Sequence, residues 1–150
     1  MSTRLKDKEE KIQEILEALK AESANGTPII VEGKKDVETL LALGIEGVLL
    51  AAKTGGKSFL DVVTELEQMG TGEVILFLDF DRRGKEGTKK LKQSLERSGI
   101  TPNITLWKEL KGLLRRDIQC VESIAAYLQT LREKIGTQTS QKAKRTCASS

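Results

Sequence analysis

Between residues 73 and 79 the chain reads Glu-Val-Ile-Leu-Phe-Leu-Asp, an unbroken apolar run closed at each end by an acid. Such a run predicts a strand covered on both faces, and strands of that kind lie at the centre of parallel sheets. Residues 28–32 (PIIVE), 47–51 (GVLLA) and 103–107 (NITLW) are shorter runs of similar character. Helical spacing fills the intervals. Ile12, Ile15, Leu16 and Leu19 form a stripe within 5–21, and Val37, Leu40 and Leu41 form another that ends near Gly44. Ser58, with Asp61 three residues on, caps a helix carrying Phe59, Val62, Val63 and Leu66. Residues 85–97 offer mainly Leu91 and Leu95, which predicts a well-exposed helix. Leu110, Leu113 and Leu114, then Val121, Ile124, Ala125, Leu128 and Leu131, continue the helical pattern to about residue 135.

Strands alternating with helices require right-handed βαβ crossovers. The expected fold is α/β and doubly wound, with about four mainly parallel strands flanked by helices and with N- and C-terminal helical extensions. Residues 1–25 are expected as an amphipathic helix packed on the domain, 26–136 as the domain with its C-terminal helices, and 137–150 as a disordered basic and polar tail. The N-terminal stripe can cover the chain's own sheet or a second copy, which leaves a homo-oligomer open.

Composition removes several chemistries. The chain has no histidine, which excludes histidine bases, Ser-His triads and histidine-ligated metals. Cys120 and Cys147 have no paired spacing, so neither a disulfide framework nor a zinc knuckle is indicated. No apolar run approaches the roughly 20 residues of a membrane span, and the charged N-terminus lacks a signal-peptide core. A cytoplasmic protein without a membrane partner is expected. Of 25 basic residues, three (Lys142, Lys144 and Arg145) lie in the tail, so the remaining 22 balance 22 acids. Only local clustering of charge can therefore argue for a polyanionic partner.

That clustering falls at the carboxyl ends of the strands, where ligands bind in doubly wound sheets. After the first strand come Glu32, Gly33, Lys34, Lys35 and Asp36; after the third come Asp79, Phe80, Asp81, Arg82, Arg83 and Gly84. Asp79 and Asp81, two apart, would face one side of an extended chain. If the two strands are neighbours, Glu32 joins them. Converging carboxylates repel one another, and a hard divalent cation relieves the repulsion. Lys34, Lys35, Lys53, Lys57, Arg82, Arg83 and Lys85 ring the same edge and suit a phosphate backbone.

The motifs VEGKKD (31–36) and DFDRRG (79–84), in this order and on these strand ends, resemble the two signature motifs of the Toprim superfamily. The resemblance covers residues 28–107 and implies a Rossmann-like Toprim fold. It implies that Asp79 and Asp81 ligate Mg²⁺, with Mn²⁺ as a substitute. Glu32 would be a general acid/base or a metal-associated carboxylate, and Lys34 would contact phosphate. Gly33 and Gly84 would permit tight turns. Topoisomerases often carry a third aspartate in the second motif, whereas here Gly84 follows Arg83, and the single tyrosine, Tyr127, lies in a predicted amphipathic helix, which argues against strand passage. Small size and the lack of a zinc segment resemble stand-alone archaeal Toprim proteins akin to the ribonuclease that matures 5S ribosomal RNA, within the primase- and nuclease-like branches.

The expected activity is thus Mg²⁺-dependent cleavage or transfer of phosphodiesters in RNA or DNA, in RNA processing or DNA repair. The alternatives are a non-catalytic nucleic-acid-binding adaptor and a primase-like nucleotidyl transferase. Asp36, Asp117 and Glu122 are accessory candidates, with acids at helix ends as the plainer reading. Gly55-Gly56-Lys57-Ser58 lacks the first glycine of a P-loop, since Ala51 stands there, and reads more simply as a turn with a helix cap.

Overall fold

The computed structural model describes residues 2–147 except 54, 55 and 57, with side chains described from 4 to 136. Four strands, β1 (Ile29–Val31), β2 (Leu49–Ala51), β3 (Glu73–Leu76) and β4 (Thr101–Asn103), form one sheet in the order β2-β1-β3-β4. Every pairing is parallel; Ile29 stands opposite Leu49 on one side and Ile75 on the other. The chain thus starts at the centre of the sheet, winds outward to β2, returns to β3 beside β1, and winds outward the other way. The crevice between β1 and β3 is the topological switch point.

Helices α1 (Ser2–Ala24), α2 (Lys34–Ala42), α5 (Thr105–Leu114) and α6 (Ile124–Cys147) supply apolar side chains to one face, and α3 (Phe59–Gln68) and α4 (Arg82–Arg97) to the other. The two-residue period of the strands sorts the core. Ile29, Val31, Ile75 and Phe77 enter the first cluster, while Ile30, Val74, Leu76 and Leu78 enter the second. The central strands are therefore buried on both sides, as the apolar run at 73–79 predicts. The α1 stripe of Ile12, Ile15, Leu16 and Leu19 lies in the first cluster, where α1 meets α5 and α6. Ser58 caps α3, accepting from Asp61 N–H at 3.3 Å, and Asp61 Oδ2 accepts from Ser58 N–H at 2.8 Å.

Several boundaries differ from the sequence reading. Gly47 has φ +121, outside the range of an extended strand, so β2 begins later, at Leu49. β4 ends at Asn103, whose side chain accepts from Thr105 N–H at 3.0 Å and turns the chain into α5. Trp107 is consequently helical rather than a strand residue; it is buried, and its indole N–H donates to Leu78 O at 2.7 Å. Helix α4 is less exposed than its few leucines suggest, because Gly84, Gly87 and Thr88 are buried along with Leu91 and Leu95. Small residues bring the helix backbone itself against the sheet. Helix α6 is assigned to Cys147, and the side chains of 137–147, where the sequence reading places a basic and polar tail, lie outside the described residues. Residues 148–150 lie outside the described residues.

Candidate functional site

Glu32 leaves β1 and Asp79 follows β3, at adjacent strand ends of the switch point. The neighbouring backbones remain paired to this edge: Phe77 N–H donates to Ile30 O at 2.8 Å and Lys53 N–H to Glu32 O at 2.9 Å. Beyond Phe77 the chain peels away from the sheet. Asp79 and Asp81 are therefore not alternate residues of one strand, as their spacing suggests, and each carboxylate has its own backbone partner. Asp81 is the N-cap of α4, where its Oδ1 accepts from Gly84 N–H at 2.8 Å. Asp79 Oδ1 accepts from Val121 N–H at 3.0 Å, across 42 residues of sequence.

Asp36 is buried at the start of α2, with its Oδ2 accepting from Gly33 N–H at 3.0 Å. Glu32 is largely covered, its side chain 16% exposed, with Lys53 Nζ at 3.3 Å from its Oε2. The acids act on one another. Burial raises the Asp79 carboxyl to about 6; the Val121 N–H opposes this, and the negative charges of Asp36, Glu32 and Asp81 add to it. Asp36 is also raised, first by burial, with Glu122 and Glu32 contributing charge and the Gly33 N–H opposing.

The segment before α6 closes over this cluster. Phe80 N–H donates to Gln119 O at 2.7 Å, and the single 3-10 turn Val121–Ser123 sits against α2, with Thr39 Oγ1 donating to Glu122 O at 3.4 Å. Glu122 is therefore brought to the acids. Cys120 is as well: its thiol is pushed up by burial first and then by the charges of Asp79, Asp81, Glu122 and Asp36. The spacing of the two cysteines carried no hint of this, since the contact is made by a loop folding back from forty residues downstream. Asp117 is drawn elsewhere, to Lys8 Nζ at 2.6 Å and the Tyr127 hydroxyl at 3.0 Å.

Among the cations, Lys34, Lys35, Arg83 and Lys85 are exposed at the starts of α2 and α4. Arg82, also exposed, pairs with Glu86 at 3.3 Å. Lys57 and Gly55 lie outside the described residues. Gly33 is not a strained turn: its backbone is extended, and a Cβ added there would meet nothing within 4 Å. Gly33→Ala is therefore expected to leave the melting temperature within about 2 °C of wild type, a stability change within about 0.5 kcal/mol. Thermal denaturation checks this.

The donors are oxygens, which suit a hard cation such as Mg²⁺, commonly held by one or two carboxylates and several waters. Burial is the main cause of the raised Asp79 carboxyl, and the charges of Asp36, Glu32 and Asp81 add to it. Among the described residues no three cysteine or carboxylate side chains stand close enough to grip one metal ion between them. The arrangement fits a cation held through one or two carboxylates and not an all-protein cage.

A doubly wound parallel sheet with acids at its switch point belongs to the class of α/β domains whose ligands bind at the carboxyl ends of the strands. The chain belongs to the Toprim family: the Toprim domain matches residues 26–105. It also belongs with the UPF0292 proteins of archaea. It is 39% identical over 120 residues to one from Methanocaldococcus jannaschii, covering 79% of this chain and 91% of that one. It is 35% identical over 127 residues to one from Methanosarcina barkeri, covering 85% and 87%. A solved structure of a protein from Aquifex aeolicus superposes with a TM-score of 0.63 at 30% identity, covering 74% of this chain and 95% of that one. The Toprim domain ties the chain to metal-associated, nucleic-acid-related function. Among the described residues no helix is long and apolar enough to cross a membrane.

Proposed function

We propose that the protein is a Mg²⁺-dependent nuclease, or a related phosphodiester-transfer protein, acting on RNA or DNA. The observation that carries this reading is the gathering of Glu32, Asp36, Asp79 and Asp81 at adjacent strand ends, where burial first, and then the charges of Asp36, Glu32 and Asp81, raise the Asp79 carboxyl to about 6. In this reading Asp79 and Asp81 hold Mg²⁺, and Mn²⁺ substitutes for it. Glu32 shares the cation or moves the proton of the attacking water. Bound Mg²⁺ supplies charge stabilisation at the scissile phosphate and acidifies water. Lys34, Lys35, Arg82, Arg83 and Lys85 steer and hold phosphates. Lys53, paired to Glu32 in the free protein, turns to phosphate when substrate arrives. Gly33 keeps the mouth of the site open, and Asp36 and Glu122 tune the charge around Asp79.

The experiment is incubation of structured RNA and of DNA with the full chain in Mg²⁺, Mn²⁺ or EDTA. Cleavage is expected with either metal and not in EDTA. Glu32→Gln is expected to slow it roughly 100-fold or more, the scale of a lost acid–base group. Absence of cleavage by wild type, or equal rates for Glu32→Gln, removes the reading. One observation favours a second reading, a non-catalytic nucleic-acid binder: Asp79 and Asp81 already accept backbone N–H groups, and among the described residues no three acids converge on one metal position. Salt-sensitive binding without turnover, unchanged by Asp79→Asn, would select it.

A further inference from the structure

A cluster of cations away from the acids lies between α1 and the end of α5. A cleft of about 510 Å³ there is lined by Arg4, Lys8, Lys11, Arg115, Arg116 and Asp117. Lys8 is committed to Asp117 at 2.6 Å and lies 5.6 Å from the Tyr127 ring centre. Arg4, Lys11, Arg115 and Arg116 are exposed, and among the described residues none of them pairs with an acid. These cations belong to α1 and to the end of α5, outside the Toprim match at 26–105.

The cleft is joined to the acids by further positive charge. Lys85 stands one turn into α4, its N–H donating to Asp81 O at 2.9 Å. Lys111 of α5 sits 4.5 Å over the Trp107 ring. Lys108, Lys111 and Arg115, at i, i+3 and i+7 on α5 and its C-cap, share one face of the helix, and the Lys111 ammonium is lowered by burial first and then by the charges of Lys85, Arg115 and Lys108. Lys85 thus links the acid site to α5, and Arg115 links α5 to the cleft. From Lys108 to Arg115 a helix advances about 10 Å, roughly three phosphate spacings along a duplex strand. The flanking surface has the opposite character: the neighbouring grooves on α1 are lined by Glu9, Glu10, Glu14 and Glu17, with Glu109 of α5 beside them. A polyanion is favoured along the cationic line and repelled beside it.

We infer that the phosphate backbone of a nucleic acid held at the acids runs on past Lys85, Lys108 and Lys111 into the α1/α5 cleft, where Lys11, Arg115 and Arg116 grip it. The inference rests on the reading of the acids as a nucleic-acid site and extends it to a second anchoring region that sets how much flanking strand the protein holds. A ladder of phosphates matches this line of cations, whose one acid within the cleft, Asp117, is paired to Lys8, and the concave cleft admits a strand more readily than a flat lipid surface.

The test is equilibrium binding of labelled RNA and DNA oligonucleotides by the full chain in EDTA, where cleavage is not read, over a salt series. The triple variant Lys11→Ala/Arg115→Ala/Arg116→Ala is expected to bind about tenfold or more weakly and to flatten the slope of log K against log salt by about 2–3. If the triple variant melts early, the single exposed change Arg116→Gln is expected to lower the slope by about 1. Wild-type affinity and slope in a folded variant overturn the cleft and leave the nuclease reading standing. Binding that depends on the cleft without any cleavage in Mg²⁺ supports the cleft while the nuclease reading fails. Binding of anionic phosphatidylserine vesicles, with no binding of either nucleic acid, overturns both.

Discussion

Gly84→Ala is expected to destabilise the protein by about 3 kcal/mol, a fall in melting temperature on the order of 10 °C. Glycine inside a helix normally costs stability, and alanine there would ordinarily gain about 1 kcal/mol. Gly84 reverses that sign. A Cβ at this position would overlap the carbonyl group of Asp79, and that obstacle is backbone with no rotamer to swing aside. The only relief is displacement of the first turn of α4 from the β3 end. That movement pulls Gly84 N–H from Asp81 Oδ1 and removes the cap, worth about 1 kcal/mol by itself. It also displaces Asp79 and Asp81, so nucleic-acid processing should fall with stability. Thermal melts of Gly84→Ala beside Gly33→Ala provide the check, since the second glycine has open space around it. A Gly84→Ala protein as stable as wild type would mean that α4 does not approach the sheet so closely.

The same glycine explains why part of the fold was legible in sequence and part was not. The central strands announced themselves, because residues buried on both faces must be apolar at consecutive positions, and Val74 to Leu78 are. The acids at their ends lie side by side because β1 and β3 are neighbours in the sheet. Large apolar side chains made a poor guide to α4, which packs through Gly84, Gly87 and Thr88. At residues 103–107, β-branched and aromatic residues suggested a strand, whereas the Asn103 side chain turns the backbone into a helix that buries Trp107. The closure of Cys120, Val121 and Glu122 over the acids had no local signature. It arises from long-range backbone bonds, Phe80 to Gln119 and Val121 to Asp79, that no spacing along the chain encodes.

Asp79→Asn should yield a protein that is more stable at pH 8 and impaired in phosphodiester chemistry. The Asp79 carboxyl is raised to about 6, chiefly by burial, so the folded chain holds its proton more tightly than the unfolded chain does. The stability this contributes is complete below the ordinary aspartate range near pH ~4 and is lost as the pH rises through about 6. Above that, folding must carry an ionised, poorly solvated carboxylate beside Asp36, Glu32 and Asp81. Full conversion of the shift would give about 3 kcal/mol, and solvent screening of a half-buried group reduces this to about 1–2 kcal/mol. Asparagine keeps an Oδ1 that can accept the Val121 N–H and carries no charge at any pH. The variant should therefore melt a few degrees (~2–6 °C) above wild type at pH 8 and coincide with it below pH ~4. Millimolar Mg²⁺ should raise the melting temperature of wild type at pH 8 and narrow the gap, because a cation removes the repulsion that asparagine removes by neutrality. Activity should fall roughly 100-fold or more, as the loss of several kcal/mol of metal-mediated charge stabilisation requires. Differential melts across pH, with and without Mg²⁺, read the stability arm without reference to turnover. A variant less stable than wild type at pH 8, or a gap that persists unchanged to pH ~4, would show that Asp79 serves the fold as an ordinary hydrogen-bonded carboxylate.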